Sequence, residues 1–390
     1  MKLQQSILKL FVTLFFLKIV YILIITLAVY FFPSLDESVF NRVHQHWPRD
    51  GGPVFATHFA TWDAAHYLYL SEEGYKTGMP SCAFYPLWPI MIKCGAIFFR
   101  GNHLISGIFL SNLFSIIGWC VFYKNTKVRF GERIAKSSLI LLILFPGSLF
   151  YQFIYSESLF FLLLMLLWNG LEKKNIYLIF ISSFLLPLTR AIGIFCLLPI
   201  LYFLITQQNE NLYKKINFIK FIKKLSPQLW LLFIPFLGWM SYFLFMRFNT
   251  GNAFEGFEAQ KFWGVHSIWN IVNIPKFLMK FCEITNLHEF TGSVLDRIVF
   301  LFLFYSIPLI SKLGKDMIIW VFVLGIIPAL SGDLVSFTRF CSVIFPLFIG
   351  LASHFYSGSE KRIQLFIYLL VCVILHGFLL WRFINYHWAG

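Results

Sequence analysis

The chain has 390 residues, of which 58% are hydrophobic and only 13% are charged. Soluble domains carry about twice that charged fraction, so this composition excludes a water-soluble globule and indicates a chain that folds in lipid. The net charge of +14 lies in short basic clusters between apolar segments, a distribution that is typical of membrane proteins and that argues against nucleic-acid binding.

Apolar segments of membrane-crossing length recur along the whole sequence. A spanning helix needs about 20 mostly apolar residues. The first candidate begins after Lys9, is too long for the core of a cleaved signal peptide, and is expected to be retained. We therefore expect one integral membrane domain over residues 1–390, all-α and polytopic, with eleven spans at 10–32, 104–123, 135–151, 157–171, 176–188, 191–206, 229–246, 294–311, 317–331, 339–355 and 363–384.

The segment 175–205 is too long for one span and short for two, and the positive charges around it decide the count. Lys173 and Lys174 precede it, and five lysines follow it between residues 214 and 224. Both clusters favour the cytoplasmic side of a membrane. An even number of crossings must separate them, so we predict two short helices with Arg190 near the outer turn. The same rule places the N-terminus in the cytoplasm.

Two long loops, 33–103 and 247–293, fall on the outer side in this topology. They are rich in aromatic residues, and most of the 18 acidic residues of the chain lie in them or at the same membrane face. Long aromatic loops are more often functional than disordered. Cys82 and Cys282 lie one in each loop and are available to pair, but spacing alone does not decide whether they do.

The first loop contains the richest polar stretch, residues 61–75. Its spacing predicts an amphipathic helix at the membrane interface, ended by Gly74. Two prolines, Pro86 and Pro89, interrupt the apolar run that follows. They favour a surface or re-entrant helix over 84–100. Irregular backbone near a membrane must be buried in protein or line a cavity, so we expect a pocket here.

Asp63 lies at the start of this predicted helix and has three interpretations. It is an exposed interfacial acid, a helix N-cap, or a general base whose protonation is tuned by partial desolvation. His66, one turn later, is either a hydrogen-bonded interfacial histidine or a group that orients Asp63 or binds substrate. His44 and His46 form an H-x-H pair without an evident third ligand, so no metal site is predicted.

Five short motifs follow one another over most of residues 60–350: Trp62–Tyr67 with Gly74, Tyr75 and Ala83–Pro89; Leu144–Ser148 with Tyr155–Phe160; Leu188–Gly193; Gly251–Gly264; and Ser336–Phe340 with Phe345 and Pro346. Together they resemble the PIG-V family, which includes GPI mannosyltransferase II and its bacterial relatives and has the GT-C membrane glycosyltransferase architecture. In this chain Phe340 stands where the family has Tyr, and Ala253 stands where it has Pro.

The resemblance implies an inverting glycosyltransferase that moves a hexosyl unit, in this family mannose, from a polyprenyl-phosphate donor to a hydroxyl of a lipid or glycan acceptor. The reaction is expected at the extracytoplasmic face and needs no cofactor or metal. A bacterial inner membrane is favoured, or the ER membrane if the source is eukaryotic. The alternative class is a lipid or solute transporter or flippase, in which ionisable residues lie at mid-membrane.

The resemblance also implies roles for particular residues. Asp63 is the expected base, and Arg190 and Arg339 are the expected partners of the departing phosphate, unless they only extend to the membrane interface. Glu157 either pairs with an arginine, binds sugar hydroxyls, or complements its helix dipole. The remaining predicted substrate contacts, each of which has a simpler interpretation as an interfacial anchor, are His66, Tyr67, Gln260 and Trp263.

Overall fold

The computed structural model describes residues 2–31, 39–41, 47–48, 52–206, 226–263, 274–331, 334–356, 358 and 361–390. Within these ranges the chain forms helices and no β-strand, which confirms the all-α prediction. The predictions for His44, His46 and the lysines between 214 and 224 lie outside the described residues.

The α-helices have the following bounds: α1 (Lys2–Phe31), α2 (Asp63–Glu73), α3 (Leu87–Ala96), α4 (His103–Phe130), α5 (Glu132–Leu144), α6 (Glu157–Lys173), α7 (Ile176–Thr189), α8 (Leu197–Thr206), α9 (Ile234–Thr250), α10 (Glu255–Ala259), α11 (Ile274–Cys282), α12 (Val294–Ser311), α13 (Lys315–Val321), α14 (Ile327–Ser331), α15 (Phe337–Cys341), α16 (Phe345–Phe355) and α17 (Arg362–Ile384). Short 3₁₀ segments occupy Phe55–Phe59, Pro80–Ala83, Ile97–Phe99, Pro146–Tyr151, Ala191–Cys196, Ser226–Phe233 and Gln260–Trp263, and a π-helical turn occupies Phe322–Ile326.

Each of the eleven predicted spans falls mostly on helical residues in the described part of the chain, although residues 342–344 divide the predicted span 339–355 into α15 and α16. Five described helices are long and apolar enough to cross a membrane: Gln5–Phe31, His103–Phe130, Gln228–Thr250, Val294–Ser311 and Arg362–Ile384. The segment 175–205 forms two helices on either side of Arg190, as predicted. The predicted span 135–151 instead ends as an α-helix at Leu144, because Pro146 has no N–H to continue the ladder and the chain passes into a 3₁₀ segment.

The core of the bundle is built around α6, whose residues are almost all buried. It packs against α4 and α7, and α7 packs in turn against α9. Close approach of α4 and α6 depends on Gly118, where a Cβ would lie 3.3 Å from the Leu162 backbone. In contrast, α1 and α17 expose many large apolar side chains, as expected for helices that face lipid.

The first loop supplies α2 and α3. Helix α2 ends at Gly74, which adopts a φ of 78° that glycine tolerates best. The structure embeds α2 in the protein more deeply than an interfacial helix requires, since residues 64–71 are all buried. Helix α3 and its 3₁₀ extension, which exposes Ile97 and Phe98, form the short helix predicted over 84–100 as a surface or re-entrant element.

The two ends of the bundle carry different charged clusters. Helices α4 and α6 run from the end that contains Asp63, hereafter the Asp63 end, to an end where Arg129 meets Glu172 and Asp316, hereafter the Arg129 end. The 17 residues of α6 separate these ends by about 25 Å. Cys82 is buried and Cys282 is exposed, and both are free thiols.

Candidate active site

Asp63 is the first residue of α2, and its side chain is 13% exposed. It is neither the N-cap nor an open interfacial acid. The N-cap is Trp62, which makes no side-chain cap and has a φ of 56°. Positive φ is rare for a large side chain and concentrates at functional sites. The Asp63 Oδ2 atom instead accepts a hydrogen bond from Arg339 Nη1 at 2.6 Å.

Arg339 lies on the short helix α15 and is 8% exposed. Its Nη1 contacts Asp63, and its Nε lies 3.1 Å from Glu157 Oε1. The guanidinium also lies over the rings of Phe150 and Tyr155, 5.5 and 5.2 Å from their centroids. A side chain held in this way by two carboxylates and two rings does not extend to the membrane interface.

Glu157 begins α6 and is 1% exposed, so its carboxylate is deeply buried. Its Oε1 atom contacts two arginines, Arg339 and Arg190, and the Arg190 Nη1 is 2.6 Å away. Two acids and two arginines therefore form one network with balanced charge. Burying charges is costly, and a closed set of opposite charges with good geometry offsets much of that cost.

Arg190 lies in the break between α7 and the 3₁₀ segment that follows. Its backbone is extended, and its carbonyl accepts from the Gly193 N–H at 2.9 Å. A Cβ at Gly193 would lie 2.3 Å from the Leu186 carbonyl, so the turn requires glycine. This explains the spacing of the Thr189–Arg190–x–x–Gly193 motif: the glycine lets the chain reverse closely enough to direct Arg190 at Glu157.

Phe340 separates the two arginines. Its ring centroid is 4.7 Å from the Arg190 guanidinium and 5.1 Å from that of Arg339. Cations over aromatic faces are stabilised by the ring quadrupole, and Phe provides this as Tyr does. The Phe340 ring therefore contacts both arginines without the hydroxyl that a tyrosine would carry at this position.

Gly147 explains a second motif. A Cβ at this position would lie 2.1 Å from the Thr338 carbonyl oxygen and 3.0 Å from the Arg339 Cα. The 3₁₀ segment Pro146–Tyr151 therefore packs backbone to backbone against α15. Glycine at position 147 allows this contact, and the contact positions the Arg339 backbone relative to the 3₁₀ segment.

Tyr67 joins the network from α2. Its hydroxyl donates to Ser156 Oγ at 3.0 Å, beside Glu157, and its ring packs edge-on against Phe84. Burial raises the pKa of Tyr67, and the negative charges of Asp63 and Glu157 raise it further. The phenol therefore remains protonated and acts as a neutral donor.

His66, Gln260 and Trp263 form a neighbouring cluster around the 3₁₀ segment Pro80–Ala83. His66 Nδ1 lies 2.7 Å from Ser81 Oγ, and its ring stacks on Phe84. Gln260 Nε2 donates to the Ala83 carbonyl and Trp263 Nε1 to the Pro80 carbonyl, at 3.0 and 3.2 Å. These contacts tie the second loop to the first, and Tyr67 and Phe84 connect the cluster to the charged network.

Asp296 is a residue for which the sequence suggested no role. It lies in the first turn of α12, is 1% exposed, and its Oδ1 accepts from the Thr338 backbone N–H at 2.6 Å. Its other oxygen lies 3.7 Å from His288 Nδ1. The available signal in the sequence was an acidic residue, Asp296, at the start of an apolar span. The contact holds the residue that precedes Arg339.

Asp63, Arg190 and Arg339 thus converge at one end of the bundle. The arrangement places a carboxylate beside two arginines, which suits proton removal from a hydroxyl next to an anionic group. Among the residues that the structure describes, no group of three or more His, Cys, Asp or Glu side chains has a geometry that would hold a metal ion.

Comparisons with known proteins were made on the sequence and on the fold. Two similar solved structures are ArnT from Cupriavidus metallidurans bound to undecaprenyl phosphate and the oligosaccharyltransferase AglB from Archaeoglobus fulgidus with an inhibitory peptide and a dolichol-phosphate. Each is 12% identical; the alignments cover 90% and 99% of this chain, with TM-scores of 0.46 and 0.48. The chain spans 63% and 56% of the length of these proteins.

No curated protein matches the chain. A model of the mannosyltransferase (PIG-V) family matches residues 5–290, well over half of the sequence. The match includes Asp63, Glu157 and Arg190, and the late arginine that completes the network lies beyond it. The chain therefore belongs to the mannosyltransferase (PIG-V) family and is an integral membrane protein.

Proposed function

We propose that the protein transfers a mannosyl unit from a polyprenyl-phosphate donor to a hydroxyl of a lipid or glycan acceptor, with inversion at the anomeric carbon and with Asp63 as the general base. The observation that carries the proposal is the buried network of Asp63, Arg339, Glu157 and Arg190. Membership of the mannosyltransferase (PIG-V) family supports mannose as the proposed sugar.

Asp63 is suited to the base because Arg339 fixes the orientation of its carboxylate through a 2.6 Å hydrogen bond. In the proposed step the acceptor oxygen attacks the anomeric carbon while Asp63 takes the hydroxyl proton. The bond from that carbon to the phosphate oxygen breaks, and its electron pair leaves with the lipid phosphate. Attack and departure on opposite faces of one carbon give inversion, which needs a single base.

Arg190 and Arg339 are the proposed partners of the departing phosphate. Each guanidinium has five N–H donors in a planar fork, of which the carboxylates Asp63 and Glu157 engage some. The remaining donors suit phosphate oxygens, and arginine recognises phosphate in bidentate fashion. Glu157 is then proposed to hold both arginines in place. Together with the nearby Tyr67 hydroxyl, it is also proposed to contact sugar hydroxyls.

His66, Gln260 and Trp263 are proposed as substrate contacts from the side of the second loop. The His66 Nδ1, Gln260 Nε2 and Trp263 Nε1 atoms are engaged with the Pro80–Ala83 segment. The substrate contacts proposed are therefore the aromatic rings of His66 and Trp263 and the amide oxygen of Gln260. Aromatic faces with a few polar groups are typical of ligand sites.

The Asp63 end is proposed to face the extracytoplasmic side of a bacterial inner membrane, or the lumen if the source is eukaryotic, with the N-terminus in the cytoplasm. The basic residues of the Arg129 end support this orientation, because lysine and arginine are enriched in cytoplasmic loops. They include Lys124, Lys127, Arg129, Arg133 and Lys136. A polyprenyl-linked donor would reach the site through the bilayer.

The proposal is tested with purified protein in lipid nanodiscs and a panel of polyprenyl-phosphate sugars, by measuring sugar-dependent release of the lipid phosphate. Release is expected with the mannosyl donor in the wild-type protein and not in Asp63→Asn. The matched control is Asp316→Asn, which changes an arginine-bound aspartate at the Arg129 end. Failure of every donor, or near-normal release by Asp63→Asn, would contradict the proposal.

A further inference from the structure

The last six residues of the chain, 385–390, form a buried tail at the Asp63 end. Tyr386 is fully buried and Trp388 is 3% exposed. The Tyr386 hydroxyl lies 2.8 Å from Thr57 Oγ1, and its ring stacks on His58. His58 Nδ1 in turn lies 2.6 Å from the Ile384 carbonyl oxygen. The first loop therefore binds the tail along one side.

Arg382 and the second loop hold the other side of the tail. Arg382 Nε donates to the Trp388 carbonyl at 2.6 Å, and its Nη2 pairs with Glu289. The Phe290 ring lies 4.9 Å from that of Trp388, in an edge-to-face arrangement. Contacts from both loops thus fix the indole of Trp388 in one orientation.

The tail reaches both members of the central ion pair. Trp388 packs edge-on against Trp62, with ring centroids 4.9 Å apart, and Trp62 directly precedes Asp63. Arg339 Nη1, which binds Asp63, also lies 3.4 Å from the Gly390 carbonyl oxygen. The tail therefore contacts Trp62 on one side and Arg339 on the other, and Asp63 joins these two residues. The tail is one wall of the site.

Polar atoms without partners collect in this wall. In the part of the chain that the structure describes, the indole N–H groups of Trp62 and Trp388 are buried and make no hydrogen bond. The hydroxyls of Thr61 and Thr338, which flank Trp62 and Arg339, also lack a partner there. Buried polar groups are nearly always hydrogen-bonded, so unpartnered donors beside the proposed base are candidates to bind a ligand.

We propose that Trp62 and Trp388 form the acceptor subsite and bind a sugar ring of the acceptor, Trp62 through its partly exposed ring and both residues through their indole N–H groups. The inference rests on the proposed function. It assigns these residues to the acceptor and not the donor because the base must lie within about 3 Å of the acceptor hydroxyl, and Trp62 is covalently joined to Asp63.

The test is Trp388→Phe, which keeps a packed aromatic ring and removes the N–H. The acceptor probe is methyl α-D-mannopyranoside, with the mannosyl donor held at saturation. Loss of one hydrogen bond is expected to raise the KM for the probe about threefold to tenfold, while kcat and the KM for the donor change less than twofold. Trp230→Phe, which alters an exposed tryptophan outside the site, is the matched control and should change neither KM.

Direct binding of the methyl mannoside, followed by calorimetry and by tryptophan fluorescence, separates this inference from the proposed function. Weaker binding by Trp388→Phe, with an unchanged Tm, supports the subsite. Equal binding by the variant and the wild type overturns it, as does an unchanged KM or a variant that loses donor affinity to the same extent. Absence of lipid-phosphate release from the wild-type protein would instead overturn the proposed function.

Discussion

The two ends of the bundle place the same residue types in different surroundings. At the Arg129 end one arginine meets Glu172 and Asp316, and these side chains are 24–40% exposed. At the Asp63 end one arginine also meets two acids, but Arg339, Asp63 and Glu157 are 1–13% exposed. Ion pairs near water contribute little to stability, whereas buried ones are expensive and are retained where function needs them.

Burial distinguishes the two clusters, whereas residue composition does not, and burial is the reason for proposing the active site at the Asp63 end. Each cluster contains an arginine that pairs with two carboxylates, so residue type alone does not distinguish them. The exposed cluster joins helix ends on the basic side, where positive charge sets membrane orientation. The buried cluster is surrounded by aromatic rings and by two backbone contacts that require glycine.

The largest expected effect is a loss of activity on substitution of Asp63 that substitution of Asp316 at the other end does not cause. Asp63→Asn removes the proposed base and should lower the rate of lipid-phosphate release by about 10²- to 10⁴-fold, the range that general-base catalysis contributes. Insertion and yield, measured by size-exclusion chromatography, should be unchanged. Asp316→Asn should keep near-normal turnover. Similar losses in both variants would show that the two ends are not functionally distinct.

Arg339→Ala should have the next largest effect and act on the donor. It removes a cation from the proposed phosphate site and leaves Asp63 and Glu157 with less compensation, so we expect a donor KM at least about tenfold higher and a lower Tm. The control is Arg129→Ala, which removes a partly exposed arginine that also meets two acids. An unchanged donor affinity in Arg339→Ala would count against the phosphate role.

Gly147→Ala tests whether the close backbone contact at the Asp63 end is needed for stability and activity. The new Cβ would lie 2.1 Å from the Thr338 carbonyl, so α15 must shift, at a cost of about 1–3 kcal/mol in stability. Both Tm and turnover should fall. Gly377→Ala, on lipid-facing α17 where nothing lies within 4 Å of the added carbon, should raise stability by about 0.5–1 kcal/mol. Equal effects of the two changes would contradict the close approach.

The smallest expected effect concerns Asp296, which positions Arg339 through the Thr338 N–H. Asp296→Asn retains a carbonyl oxygen as the acceptor and should change the donor KM less than threefold. Asp296→Ala leaves the buried N–H unpaired, at a cost of about 1–3 kcal/mol, and should raise the donor KM several-fold. If both substitutions were equally harmful, the charge and not the hydrogen bond would be the relevant property.

Much of the fold was predictable because hydropathy and helix length are local properties. Each of the eleven apolar segments falls mostly on helical residues in the described part of the chain, and the break at Arg190 follows from the charges on its two sides. The depth of α2 was less predictable, since whether a polar and aromatic helix lies on lipid or inside protein depends on what covers it. The family was recognisable from short motifs, of which the one containing Asp63 is the most specific.

The sequence by itself determined that the protein is helical, lies in a membrane, and carries a Trp62–Asp63 motif with conspicuous arginines in apolar segments. Only the tertiary structure decided which arginine meets which acid: Arg339 and Asp63 are 276 positions apart, and Arg190 and Glu157 are 33 apart. The roles of Asp296 and of the tail around Trp388 were likewise decided by packing. Periodicity and charge act over a few residues, whereas a contact between distant segments depends on every helix that lies between them.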